Sequence, residues 1–372
     1  MRIFHIQSSG AQELDAIPAE PPAQGYVWIA CARPVFQAQL AEVQAALLRL
    51  TGLQLVDLHV ADLLNTQLPS HYDYTSQYDL LVFRRLTTAP SGEDAVAPPT
   101  PPRRGGPPVL RRIDTSAVGF AVFDNVLLTV HPGDCSVRDA YAARLLAPAP
   151  SDPREGRANP TASGVRKPAS PADLMLRVVN LMVDAYLDLR REIARQLEHW
   201  QTELLRPRAR YVNWSSLLEA RLSLHALDEI CEDQRTAVQD WIDALETWAV
   251  PETTAGLREL DLLKVRSRDV LEHIERVVHH VHRMEQNTET AVQMHFSVQG
   301  NRTNDIMRTL TALTAVFLPL NLIAGIFGMN FEFIPLIHKQ DGFWWAMGSM
   351  ITIAVVLVAV FWRKRYLART GS

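Results

Sequence analysis

Near the end of the chain, a long apolar stretch closes on Gly328-Met329-Asn330. Two chemistries fit this tripeptide. Gly and Asn are both favoured where a helix stops. An asparagine amide oxygen also accepts hydrogen bonds from water, and Mg2+ gives up its water shell reluctantly. A ring of such oxygens would hold a hydrated cation without stripping it, and Gly328 would let backbone carbonyls approach. Upstream, Asn304, Met307, Leu310 or Thr311, Thr314, Leu318 and Asn321 recur at steps of three and four, which places them on one helix face. Asn321 lies inside the apolar run, where polar side chains usually face a bundle interior. His279 and His282 are three apart on one face. They could bind Zn2+, Co2+ or Ni2+ with a neighbouring chain, or belong to a plain polar helix face. No P-loop, HExxH or GxSxG pattern is present, and no enzyme is expected.

These residues need a membrane around them. Residues 310–327 carry no charge over 18 positions, about 27 Å of helix and just enough for a bilayer core. Residues 343–362 add 20 uncharged positions, with Trp344, Trp345 and Trp362 at the ends as interfacial aromatics. The short link 328–342 makes the two spans a hairpin with both flanks on one side. Arg302 and Arg308 precede the first span, and Arg363-Lys364-Arg365 follows the second. The positive-inside rule then puts both flanks, and both termini, in the cytoplasm. The link faces outward.

The rest of the chain is a cytosolic body. The whole chain has a formal net charge of −4; from Asp305 onward six basic and three acidic residues give +3, leaving −7 for the first 304. A mildly acidic body argues against nucleic-acid binding. Cys31, Cys135 and Cys231 are widely spaced and form no disulfide framework or metal knuckle, which fits a reducing compartment. The start lacks a long apolar run, so no cleavable signal peptide is expected. Residues 26–146 read as α/β: strands at 26–30, 78–86, 117–123 and 126–131, helices at 37–50 and 136–146. The Pro-rich stretch 90–108 and residues 147–171 read as loop and linker. Residues 172–205 and 214–248 read as a long antiparallel helical pair. Residues 257–327 contain one proline, Pro319. As one helix they would run about 107 Å, from cytosol into membrane. Such a helix needs partners along its length, so copies of the chain are expected to bundle.

The arrangement of stalk, span, tripeptide, second span and basic tail resembles the CorA family of divalent-cation channels. The local likeness is carried by NRTNDIMRTLTALTAVFLPLNLIAGIFGMNFEFIP, and it is diffuse over 26–146. The resemblance implies an α+β membrane protein with an N-terminal cytosolic α/β domain and a long stalk helix continuing into the first of two C-terminal transmembrane helices. Its division would be an α/β domain at 1–146, a linker at 147–171, a helical pair at 172–256, a stalk and first span at 257–327, a periplasmic loop at 328–342, a second span at 343–362 and a basic tail at 363–372. It implies five subunits around one pore in the inner membrane, passing Mg2+ and also Co2+ or Ni2+. Gly328, Met329 and Asn330 would form the filter. Asn304, Met307, Leu310, Leu318 and Asn321 would face the pore, with Met307, Leu310 and Leu318 as apolar rings that gate by dewetting.

The resemblance also carries over a regulatory site. Arg268-Asp269-Val270-Leu271-Glu272-His273 is similar to a family segment whose aspartate joins a divalent site between subunits and holds the pore closed when Mg2+ is bound. Asp269 is the candidate here. Its partner carboxylate would come from the loop after Leu86, where this chain has Thr87-Thr88-Ala89-Pro90 and only later Glu93 and Asp94. Two further departures stand out. Asn321 replaces a more usual threonine, and Ile334-Pro335-Leu336-Ile337 lacks the family's acidic loop residue, leaving Glu332 and Asp341 to attract cations. The competing readings are a Zn2+ transporter of the same superfamily and a membrane-anchored sensor that conducts nothing.

Overall fold

The computed structural model describes residues 1–8, 10–87, 113–147, 167–205, 214–329 and 341–363. The Pro-rich stretch 90–108, Glu93, Asp94, most of the linker, Asn330, Glu332 and the tail from 364 lie outside them. The chain divides into two compact units, Met1–Glu289 and Thr290–Ser372.

The first unit is built on a seven-stranded sheet: β1 (Arg2–Ile6), β2 (Ala11–Leu14), β3 (Tyr26–Ala32), β4 (His71–Tyr74), β5 (Asp79–Leu86), β6 (Thr115–Val122) and β7 (Val126–His131). The order is β2-β1-β3-β7-β6-β5-β4. Only β3 and β7 pair in parallel; the other neighbours are antiparallel. β3 and β7 are buried along almost their whole length, and are mostly apolar, because both of their faces are covered. Side-chain alternation splits the core in two. Val27, Ile29 and Cys31 face a cluster with α1 (Arg33–Ala38), α2 (Leu40–Thr51) and α3 (Asp57–Leu64), through Phe36, Leu47 and Leu63. Tyr26, Trp28 and Ala30 face the larger cluster.

The expected helix at 37–50 starts earlier and is broken. Pro34 sits in the first turn of α1, and Gln39 leaves helical geometry before α2 begins. α2 stops at Gly52, whose φ of 76° is a left-handed cap that glycine adopts without strain. Four elements went unread: β1, β2, β4 and α3. β2 (AQEL) and β4 (HYDY) are short edge strands without an alternating apolar pattern, and pairing alone makes them strands.

The larger cluster extends from the sheet through α4 (Ser136–Leu146), α5 (Pro171–Leu205) and α6 (Trp214–Thr247) to α7 (Thr254–Phe327). It runs from Phe4 and Phe120 to Val270, Ile274, Val277, Val281 and Met284. Several of its buried polar groups are paired across elements. Trp28 Nε1 donates to Thr129 Oγ1 at 3.0 Å, and Trp241 Nε1 donates to Ser267 Oγ at 2.9 Å, tying α6 to α7. The Arg84 carbonyl of β5 accepts from Tyr186 Oη of α5 and Gln234 Nε2 of α6, both at 2.8 Å. α5 opens on a reciprocal cap. Asp173 N–H donates to Ser170 Oγ at 3.3 Å, and Ala169 N–H donates to Asp173 Oδ2 at 3.0 Å, with Pro171 at the first helical position.

The second unit holds the remainder of α7 and α8 (Asp341–Arg363). Both helices are long and apolar enough to cross a membrane, and almost none of either apolar window is buried. Leu318, Leu322, Val355, Trp344 and Trp362 are all exposed. α8 exceeds the expected 343–362 at both ends, taking in Asp341 and Arg363. The expected class therefore stands: a mixed sheet with helices, then a long helix leading to two apolar C-terminal ones.

His131 sets a pH dependence for the first unit. It is 1% exposed, and burial, aided by Arg138 and Arg85, pushes its imidazole down from 6.5 to about 4. Its Nδ1–H donates to the Pro132 carbonyl and Asp139 opposes the shift, but burial dominates. Between these values the unfolded chain binds a proton that the folded chain refuses. The contribution is complete above pH 6.5 and is lost as pH falls to about 4, at most about 3 kcal/mol. Urea midpoints of the full chain in detergent should fall over this window, and His131→Gln should flatten that fall.

Candidate functional site

The apolar end of α7 carries the candidate face. At 100° per residue, Asn304, Met307, Leu310, Thr314, Leu318, Asn321 and Gly328 fall within roughly 120° of arc. Thr311, Thr314 and Asn321, all the hydrogen-bonding side chains of residues 310–327, share this face. Thr309, Val316, Leu320 and Ile323 stand on the opposite one. All five expected pore residues are exposed in the single chain; Met307 and Leu310 are each 56% exposed and Leu318 is 69%.

The polar groups on this face divide by what satisfies them. Thr311 and Thr314 donate back to the Met307 and Leu310 carbonyls at 2.8 and 2.9 Å, so both hydroxyls are served within the helix. Asn321 has no such backbone partner among the described residues, so its amide is available to whatever the face meets.

The helix ends on hydrogen bonds from Gly328 N–H to the Ala324 carbonyl at 2.9 Å and from Met329 N–H to the Ile326 carbonyl at 3.3 Å. The second bond tightens the last turn, a common way to satisfy terminal carbonyls. Positive φ occurs at Gly25 and Gly52 among the described glycines, so Gly328 is not a left-handed cap. What its lack of a side chain provides is room. A Cβ there would sit 3.0 Å from the Ala324 carbonyl oxygen. Met329 is exposed, and Asn330 lies outside the described residues.

Asp269 lies on α7 within the first unit, with its side chain 59% exposed. Its Oδ1 is 3.8 Å from His273 Nε2, and His273 Nδ1 is 3.9 Å from Asp184 Oδ1 on α5. His273 Nδ1 is buried and makes no hydrogen bond. The structure thus sets a histidine between carboxylates of two helices. Sequence reasoning missed Asp184, because nothing in α5 marks which acidic residue faces α7. Among the described residues, no three ligating side chains are close enough to hold a metal ion. A divalent site at Asp269 therefore needs ligands from beyond these residues of one chain. His282 is taken by Asp228 of α6, whose Oδ1 is 3.1 Å from its Nε2. The three cysteines are buried free thiols, and burial pushes Cys231 up to about 12.

A mixed sheet packed with helices, and two helices with apolar stretches of bilayer length, the longer being α7 itself, define the architecture of a membrane protein. The chain belongs to the CorA-like Mg2+ transporter family, whose model matches residues 24–365. The cobalt/magnesium transport protein CorA of Thermotoga maritima is 27% identical over 200 residues, 52% of this chain and 52% of that protein. The CorA of Methanocaldococcus jannaschii is 37% identical over 71 residues, 19% of this chain and 22% of that protein. The chain thus spans about half the length, or less, of these curated relatives. The complete structure of the Methanocaldococcus jannaschii CorA magnesium transporter matches at a TM-score of 0.64 and 17% identity, covering 100% of this chain and 98% of its own, a likeness of fold.

An exposed carboxylate held only loosely by a histidine contributes little to folding. Asp269→Asn should shift the unfolding free energy of the chain by no more than about 0.5 kcal/mol, read from urea midpoints without divalent ions. A loss of several kcal/mol would make Asp269 a structural residue.

Proposed function

We propose that the chain is one subunit of an oligomeric channel that passes Mg2+, with Co2+ and Ni2+ as lesser cargo, across the inner membrane. The observation that carries this reading is the exposed face of α7, where polar and apolar side chains alternate toward Gly328-Met329-Asn330. A lipid-facing helix gains nothing from gathering Thr311, Thr314 and Asn321 on one side. A helix facing the axis of a bundle does. Five copies around one axis, as the family resemblance implies, would turn each of these residues into a ring.

In this reading Asn330 and the carbonyls around Gly328 and Met329 accept hydrogen bonds from the water shell of the incoming ion. The ion need not be dehydrated, which suits Mg2+. Met307, Leu310 and Leu318 form apolar constrictions that water leaves when the helices close in. Asn304 and Asn321 offer polar rings between them. No energy-coupling motif is needed, because a potential of 100 mV drives a divalent ion inward with about 4.6 kcal/mol. Both termini lie in the cytosol, where Asp269 of each subunit meets a neighbour. Mg2+ bound there favours the closed assembly and shifts the population toward it.

The test is ion uptake by liposomes holding the purified full chain under an inside-negative potential. Mg2+ uptake should occur, and Asn330→Ala should reduce it at least tenfold. Uptake indifferent to Asn330→Ala would remove the filter assignment. Zn2+ uptake without Mg2+ uptake would assign the other cargo, and no flux of either ion would leave a sensor.

A further inference from the structure

Between the start of α5 and the first turns of α7 lies a cavity of about 220 Å3, lined by Lys167, Asp173, Arg177, Arg258, Glu259 and Arg266. Four cations against two carboxylates leave +2, in a chain whose formal net charge is −4. Asp173 is already committed. Its side chain is 7% exposed, and it accepts from Arg177 Nε at 3.2 Å, from Arg177 Nη2 at 3.3 Å and from the Ala169 N–H at 3.0 Å. Arg266 makes a close ion pair with the same carboxylate. One carboxylate thus balances two guanidiniums. Among the described residues, neither Lys167 nor Arg258 has a carboxylate within ion-pair distance. Arg258 is exposed at the cavity mouth, while Lys167 and Arg177 are half-buried.

Partly buried like charges repel and stay together only where something offsets them. Guanidiniums present fork-shaped sets of N–H donors that match the oxygens of phosphate and carboxylate groups. Ala255, in the first turn of α7, also lines the cavity, and a helix start adds its own positive field. The space is several times the ~30 Å3 that a water molecule occupies. A second cavity of about 1250 Å3 shares Glu259 and Leu263 with the first and is lined by Tyr72, Tyr74 and Trp248. The Tyr72 and Tyr74 rings are stacked with centroids 6.1 Å apart, and Tyr74 is 67% exposed.

We propose that the basic cavity at the base of α7 is a binding site for a phosphate-bearing small molecule, with Lys167 and Arg258 taking the phosphoryl oxygens directly and Arg177 and Arg266, held by Asp173, forming the positive floor. This inference does not depend on ion conduction. The experiment is calorimetric titration of the full chain in detergent, without divalent ions, using pyrophosphate and ATP as probes. Saturable binding of pyrophosphate is expected. The double variant Lys167→Gln/Arg258→Gln, which leaves the Asp173 network untouched, should weaken it at least tenfold. Affinity should also fall as salt rises, as for any contact made through charge. ATP binding more tightly than pyrophosphate would add the neighbouring aromatic cleft as a base platform; equal affinities would assign the phosphates alone. Absence of binding by either probe, or binding unchanged in a double variant with a wild-type melting curve, would overturn the proposal.

Discussion

The alternating side chains of β3, β6 and β7 present two apolar faces, and the larger of the resulting cores is what seats the first part of α7. Phe4, Trp28 and Phe120 on the sheet belong to the same cluster as Val277, Val281 and Met284 on α7, with residues of α5 and α6 between. Burial of that area is the main favourable term available to the unit. Polar handles then fix the geometry that area alone leaves open. The Arg84 carbonyl joins β5 to two helices at once, and Ser267 joins Trp241 of α6 to the backbone of α7 through Leu263. Each link satisfies a group whose burial without a partner would cost about 1–3 kcal/mol.

Charge on the helical part is arranged differently at its two levels. At the start of α5, Asp173 is almost wholly buried and fully engaged, closing a helix cap while gathering Arg177 and Arg266. Further along, Asp269 of α7 is exposed and Asp184 of α5 is half-buried, and each reaches His273 only loosely. The first arrangement is complete within one chain. The second leaves its carboxylates without a full set of partners inside one chain.

The apolar helices follow a different constraint. Leu318, Leu322 and Val355 show most of their side-chain surface in a single chain, far beyond what a water-soluble monomer tolerates as a continuous patch. Lipid can cover the opposite face, that of Val316 and Leu320. It cannot satisfy Asn321, whose amide demands a polar environment. One chain therefore supplies an arc of the proposed conduction path and leaves its closure to neighbours.

Much of this was legible in the residues. Uncharged runs of bilayer length, the tryptophans at the ends of the second run and the three- and four-residue steps toward Gly328 are local patterns, so the two apolar helices and the shared face of α7 follow from sequence. The strands at 26–30 and 126–131 announced themselves because both faces are buried. The edge strands β2 and β4 did not, since only hydrogen bonding to β1 and β5 makes strands of AQEL and HYDY. Neither did the meeting of Asp184 with His273, nor that of Lys167 and Arg177 with Arg258 and Arg266, because these residues come from stretches some 90 positions apart. Spacing along a helix determines which face a side chain takes. Which other charges that face meets is a matter of how α5 and α7 pack, and only the tertiary structure decides it.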